Sequence, residues 1–143
     1  MSSNDPVARW ERRWAESRLV RRVRPDDAVG RLRLQLAETN LERARRELGA
    51  GDADAALIFA EAALINAADA VLAKDGFSAG SHVVRFGYPK LPTIYASESV
   101  LIDRIRSSRN TAQYEAAGKV DAELSARAIE LAVTAIAEVR ALV

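Results

Sequence analysis

Apolar positions recur along the chain at helical intervals, and the interruptions between them divide it into long segments. In the first, Val7, Trp10 and Trp14 line one side, while Arg9, Arg12 and Arg13 fall across the wheel. Pro25 followed by Asp26 and Asp27 signals a second helix, because proline presets its own φ and the acids face the positive end of the helix dipole. That helix runs to about Gly49, with Leu32, Leu36, Ala44 and Leu48 as its apolar side and Arg31, Arg33, Glu38, Glu42, Arg45 and Arg46 as its wet side. Gly49-Ala50-Gly51-Asp52 reads as a tight turn ending in an N-cap, so the third helix returns antiparallel. It spans about Asp54 to Lys74, is apolar on nearly every side around a Leu57, Leu64, Ala68 and Val71 stripe, and closes at Asp75-Gly76. Between 77 and 93 the pattern breaks at Gly80, Gly87, Pro89 and Pro92, leaving one helical turn around Ser81 to Phe86. A fourth helix is predicted from about Ile94 to Tyr114. Gly118 then interrupts, and Asp121 caps a fifth in which Leu124, Ile129, Leu131, Ile136 and Val139 repeat at helical spacing.

The pattern predicts an all-α protein, an up-and-down bundle of four to five helices over residues 25–143, preceded by a basic amphipathic extension over residues 1–24. Composition agrees. Of the 143 residues 49% are apolar, with only two Trp, three Tyr and three Phe, so alanine and leucine dominate as they do in packed helices. Charge adds an asymmetry hidden by the net +1: residues 1–46 carry twelve arginines against seven acidic residues, and the rest of the chain is mildly acidic. A basic front favours contact with nucleic acid or attraction between subunits. The absence of cysteine excludes disulfides, thiolate metal sites and cysteine nucleophiles, and a single histidine leaves no imidazole cluster for zinc. Neither a metal nor a cofactor is expected. No phosphate-binding glycine loop of the GxxxxGK[ST] or GxGxxG type is present. No apolar run approaches the length of a membrane span and the amino terminus lacks a secretory apolar stretch, so the expected compartment is the cytoplasm, away from membranes.

The candidate chemistry concentrates in Arg104 to Tyr114. On a helical wheel Leu101, Ile105 and Ala112 share one face; Arg106, Asn110, Gln113 and Tyr114 take the opposite one, with Arg109 on the border. Guanidinium forks, amides and a phenol on one face can hold an anionic polar ligand. Asn66 and Asp69, three apart on the apolar third helix, need partners if buried, and Arg106 or Arg109 are the expected ones. His82, whose ordinary pKa lies near neutrality, is the candidate acid or base.

The order of these features resembles a HEPN domain over about residues 30 to 142. The likeness rests on the alanine-rich helix Ala55 to Leu72 ending in Lys74-Asp75-Gly76, on Ser81-His82, and on Arg109-Asn110-Thr111-Ala112-Gln113-Tyr114 before the last helix. RNA-cleaving members of that family carry an Arg, a polar residue, a few variable residues and then His; Arg109 and Asn110 match the first two places, and Tyr114 stands where His is expected. The resemblance implies a HEPN-like bundle, a homodimer with motifs facing one another, and an RNA or nucleotide ligand. It also implies metal-independent ribonuclease chemistry with Arg109, Tyr114 and His82 as candidate catalytic groups, or a toxin-antitoxin pairing with a nucleotidyltransferase partner protein. A module that only dimerises or binds a partner protein is the alternative from another class.

Overall fold

Helix α3, Ala53–Asp75, is the axis on which the other elements are laid. The computed structural model describes residues 5–115 and 117–143. Asp52 caps α3, its side chain accepting from the Ala55 amide at 3.0 Å, and Gly76 ends it in the left-handed region at φ 93°. Only glycine serves there. A Cβ at 76 would sit 2.8 Å from Cγ of Pro25, besides meeting the steric penalty of positive φ.

The helix α2, Asp27–Gly49, capped by Asp26, runs back along α3, and α7, Ala122–Leu142, capped by Asp121, packs on both. Small residues let α2 and α3 approach: Ala37 and Ala44 meet a partner rich in buried alanine, and a Cβ added at Gly30 would lie 3.0 Å from the Ala70 carbonyl oxygen. The face of α2 turned inward is therefore Gly30, Leu34, Ala37, Asn40, Leu41 and Ala44. This corrects the expected stripe, because Leu32 is 62% exposed and Leu36 40% exposed. Close helix approach selects glycine and alanine at the tightest positions, with Leu34 and Leu41 buried among them, and leaves Leu32 and Leu36 outside. The fifth predicted helix is observed as α7, with Leu124, Ile129, Leu131, Ile136 and Val139 all buried.

Among the described residues, four shorter α-helices, a π-helical turn and two short strands complete the architecture. Pro6–Ala15 forms α1, Val20–Arg22 forms β1, and β1 pairs antiparallel with β2, Phe77–Ala79, placing Val20 opposite Ala79. The expected helical turn around Ser81 to Phe86 is α4, His82–Phe86, capped by Ser81, and Ile94–Ser97 is α5. The single predicted helix from Ile94 to Tyr114 is divided. Glu98, at φ −107° and ψ 25°, interrupts it between serines 97 and 99, so that α6 covers Ser99–Asn110 and a π-helical turn succeeds it over Thr111–Glu115. Serine competes for its own backbone groups and supports helix interiors poorly, which favours a break at this point.

The amino-terminal extension belongs to the same core. Val7 and Trp10 are buried, and the Trp10 indole N–H donates to the Val84 carbonyl at 2.9 Å. Its ring meets Phe77 and Tyr88 edge-on, with centroids 5.2 and 4.8 Å away. All-α architecture is thus observed, with one two-stranded ribbon added. Contrary to the expectation that no segment would be long and apolar enough, α3 qualifies as a membrane span by length and mean hydropathy; its faces are instead largely enclosed by α2, α6 and α7.

Trp10→Ala removes a buried ring and its hydrogen bond, and should cost about 3–5 kcal/mol in urea unfolding. A loss below about 1 kcal/mol would show that α1 lies outside the cooperative unit.

Candidate functional site

Ile102 and Ile105, both buried, seat α6 against α3. Arg106 and Arg109 come one and four residues after Ile105, at the border of that buried face. Arg109 consequently reaches inward: its Nε lies 3.4 Å from Oε1 of Glu61, a carboxylate on α3 whose side chain is 4% exposed. That Nε is buried without a hydrogen-bond partner, so the pair is held by charge rather than by an aligned hydrogen bond. Burial pushes the Glu61 carboxyl above its ordinary pKa, and the Arg109 and Arg106 charges oppose that rise. The outer edge of Arg109 donates to Asn110 Oδ1 at 3.3 Å, and its guanidinium carbon lies 5.8 Å from the centre of the Tyr114 ring. Tyr114 itself is 70% exposed, and Asn110 and Gln113 are also on the surface.

The expected partners of Asn66 and Asp69 are corrected. Asn66 Oδ1 accepts from Asn40 at 2.7 Å, and Asp69 Oδ1 accepts from Nε of Arg85 at 2.6 Å, so neither meets Arg106 or Arg109. Helical geometry explains it. At about 100° per residue, Asp69 points about 80° and Asn66 about 140° away from Glu61, so the three polar groups of α3 address α6, α4 and α2 separately. Glu61 was not singled out from the sequence, although a lone acid inside Ala55 to Leu64 was a usable signal, since a charge on an enclosed helix requires a cation.

His82 stands at the start of α4, with Nδ1 2.8 Å from Nη1 of Arg85. A guanidinium only donates, so Nδ1 accepts and the neutral ring carries its proton on Nε2. Burial, then the charges of Arg85, Arg106 and Arg109, lower its pKa to about 4. At neutral pH the ring is therefore uncharged, holds no proton to give as an acid of ordinary strength, and is a weak base. In this arrangement Nδ1 is engaged by Arg85 and Nε2 carries the ring proton.

Arg85 is fully occupied, bonded to Asp69, His82 and the Ala79 carbonyl. Arg106 is different. It makes no hydrogen bond or ion pair with any described residue, and it lines a cavity of about 420 Å³ together with His82. Arg85 and Arg109 are thus paired with the carboxylates of Asp69 and Glu61, while Arg106 is left open in the cavity that Asp103 also lines. Among the described residues no three His, Cys, Asp or Glu side chains gather into a metal-ligand set. Comparison with protein-family models, with curated proteins and with solved structures finds no match, so the functional reading rests on the geometry of the site.

Because the chain has one histidine, its ring protons give an isolated NMR signal. The titration midpoint should fall at about 4, well below the ordinary 6.5. A lowered imidazole pKa means that the unfolded state binds the proton first, so the associated stability is complete above the unfolded pKa and declines as pH falls toward 4. A midpoint at or above the ordinary value would show that His82 is not buried beside the arginine cluster in solution.

Proposed function

We propose that the chain binds the phosphate of an RNA or nucleotide at Arg106 and Arg109. The observation that carries this reading is the open Arg106 guanidinium one helical turn from an Arg109 anchored from behind by buried Glu61. Guanidinium forks match phosphate oxygens, and an anchored fork loses less freedom on binding. Exposed Asn110, Gln113 and Tyr114 border the site, and a phenol ring beside a phosphate contact can stack on a base. The exposed arginines of the amino-terminal segment, including Arg9, Arg13 and Arg21, add phosphate affinity independent of sequence.

The resemblance to HEPN domains points to the same ligand class, and a nucleotidyltransferase in a toxin-antitoxin pair is the partner protein that it suggests. Cleavage is the weaker reading. Transfer of a 2′-hydroxyl proton needs a base, and neutral His82 has its Nδ1 committed to Arg85, while Tyr114 replaces the motif histidine.

Binding of a fluorescent single-stranded RNA should weaken steeply with salt. It should drop about tenfold in Arg106→Ala, as loss of a charge-assisted contact implies, with little change in unfolding because Arg106 has no partner among the described residues. Salt-independent affinity that is unchanged in both Arg106→Ala and Arg109→Ala would sink the phosphate reading.

A second reading rests on the face of α3 between its α2 and α6 flanks, where Ile58, Ala62 and Ile65 stay partly exposed beside Phe59. A half-covered apolar stripe on a core helix suits a second copy of the chain. Sedimentation would then show a wild-type dimer that becomes monomeric in Ile65→Asp. A monomeric wild type excludes it.

A further inference from the structure

The cavity of about 420 Å³ lies between α4, α5 and α6, beside the arginine pair rather than beneath it. It is within the size range of small-molecule sites. One wall is aromatic and pre-formed. His82, Phe86 and Tyr95 succeed one another nearly parallel, with centroid separations of 5.9 and 5.5 Å and interplanar angles of 19° and 23°. The innermost ring is fixed, since the Tyr95 hydroxyl donates to the Leu64 carbonyl at 2.7 Å on α3. Ile102 contributes a buried apolar surface from α6. Such a wall accepts a flat ring at little entropic cost, because its own side chains are already ordered.

The polar groups of the cavity are few and spaced along one helix. Asp103 and Arg106, three residues apart on α6, both line it, with Ser99 one turn before Asp103. The Asp103 carboxylate makes no hydrogen bond or ion pair with any described residue, so it is an open acceptor three residues from an open cation. An acceptor, a cation and an aromatic wall are what one nucleotide presents in complement: an amine on a ring, a phosphate, and a π-face.

We propose that this cavity takes the unpaired base of the nucleotide whose phosphate Arg106 holds, and that Asp103 accepts a hydrogen bond from the base's exocyclic amine. The inference rests on the phosphate reading and narrows its ligand to bases that carry an amine. Adenine, cytosine and guanine do; uracil carries two carbonyl groups and no amine, and a carboxylate repels a carbonyl oxygen.

Calorimetric titration of the full chain with the 5′-monophosphates of adenosine, cytidine, guanosine and uridine tests it. Uridine monophosphate should bind about tenfold more weakly than the other three. In Asp103→Asn that preference should shrink to within about twofold. Ala96→Trp, which fills the cavity from α5, should weaken all four nucleotides while leaving inorganic phosphate binding and the unfolding midpoint unchanged. Equal affinity for the four in the wild type, a preference that survives Asp103→Asn, or indifference to Ala96→Trp would each overturn the base site. RNA binding that depends on Arg109 yet ignores Ala96→Trp overturns the base site alone. Adenosine binding that responds to Ala96→Trp, with no affinity for phosphate or RNA, removes the phosphate reading and keeps the cavity. If no nucleoside or nucleotide binds, both fall.

Discussion

A carboxylate buried in the side of an enclosed helix must be given a cation, and Glu61 imposes that demand on the rest of the site. Desolvation of its charge is unfavourable enough to raise its pKa even with Arg109 3.4 Å away, so the pair is costly and is met only by drawing α6 across α3. The seating of α6 by Ile102 and Ile105 and the inward reach of Arg109 are two sides of one arrangement. The π-helical turn over Thr111–Glu115, with exposed Tyr114, follows directly after α6. Widened turns of this kind mark places where a regular helix would misdirect its side chains.

The remaining arginines divide their labour by the partners left to them. Asp69 and the Ala79 carbonyl hold Arg85, which in turn donates to His82, and burial together with the neighbouring arginine charges keeps that ring neutral. A neutral ring whose acceptor nitrogen is already used is suited to donating a hydrogen bond from Nε2 and to stacking on Phe86, not to carrying protons between groups. Of the three arginines around His82, Arg106 keeps an open fork. Electrostatics therefore favours holding an anion over transforming it, and the aromatic cavity beside Arg106 extends the same preference to a flat uncharged ring.

Small residues set the other constraint. Gly30, Ala37 and Ala44 on α2 and the alanines of α3 bring two long helices close, and the leucines at 32 and 36 are left outside as a consequence. At the end of α3, Gly76 turns the chain directly against Pro25. From there β2 can reach β1, and the strand pair with the Trp10 anchor draws the amino-terminal segment into the core.

Much of the fold was legible in order and type. The helix start at Asp26, the caps Asp52 and Asp121, the stop at Gly76 and the periodic stripe of α7 are local features, because a cap or a turn is satisfied within a few residues of itself. Arg106, Arg109 and His82 were legible as chemically capable side chains for the same reason. The break at Glu98, the ribbon from Val20 to Arg22 and the outward position of Leu32 and Leu36 on α2 were not, since each depends on what another part of the chain places alongside. Pairing was decided only in three dimensions. The direction in which Glu61, Asn66 and Asp69 leave α3 is fixed by helical geometry, but which of α6, α2 and α4 stands in each direction is set by tertiary packing, and with it whether an arginine is spent on the fold or left open for a ligand.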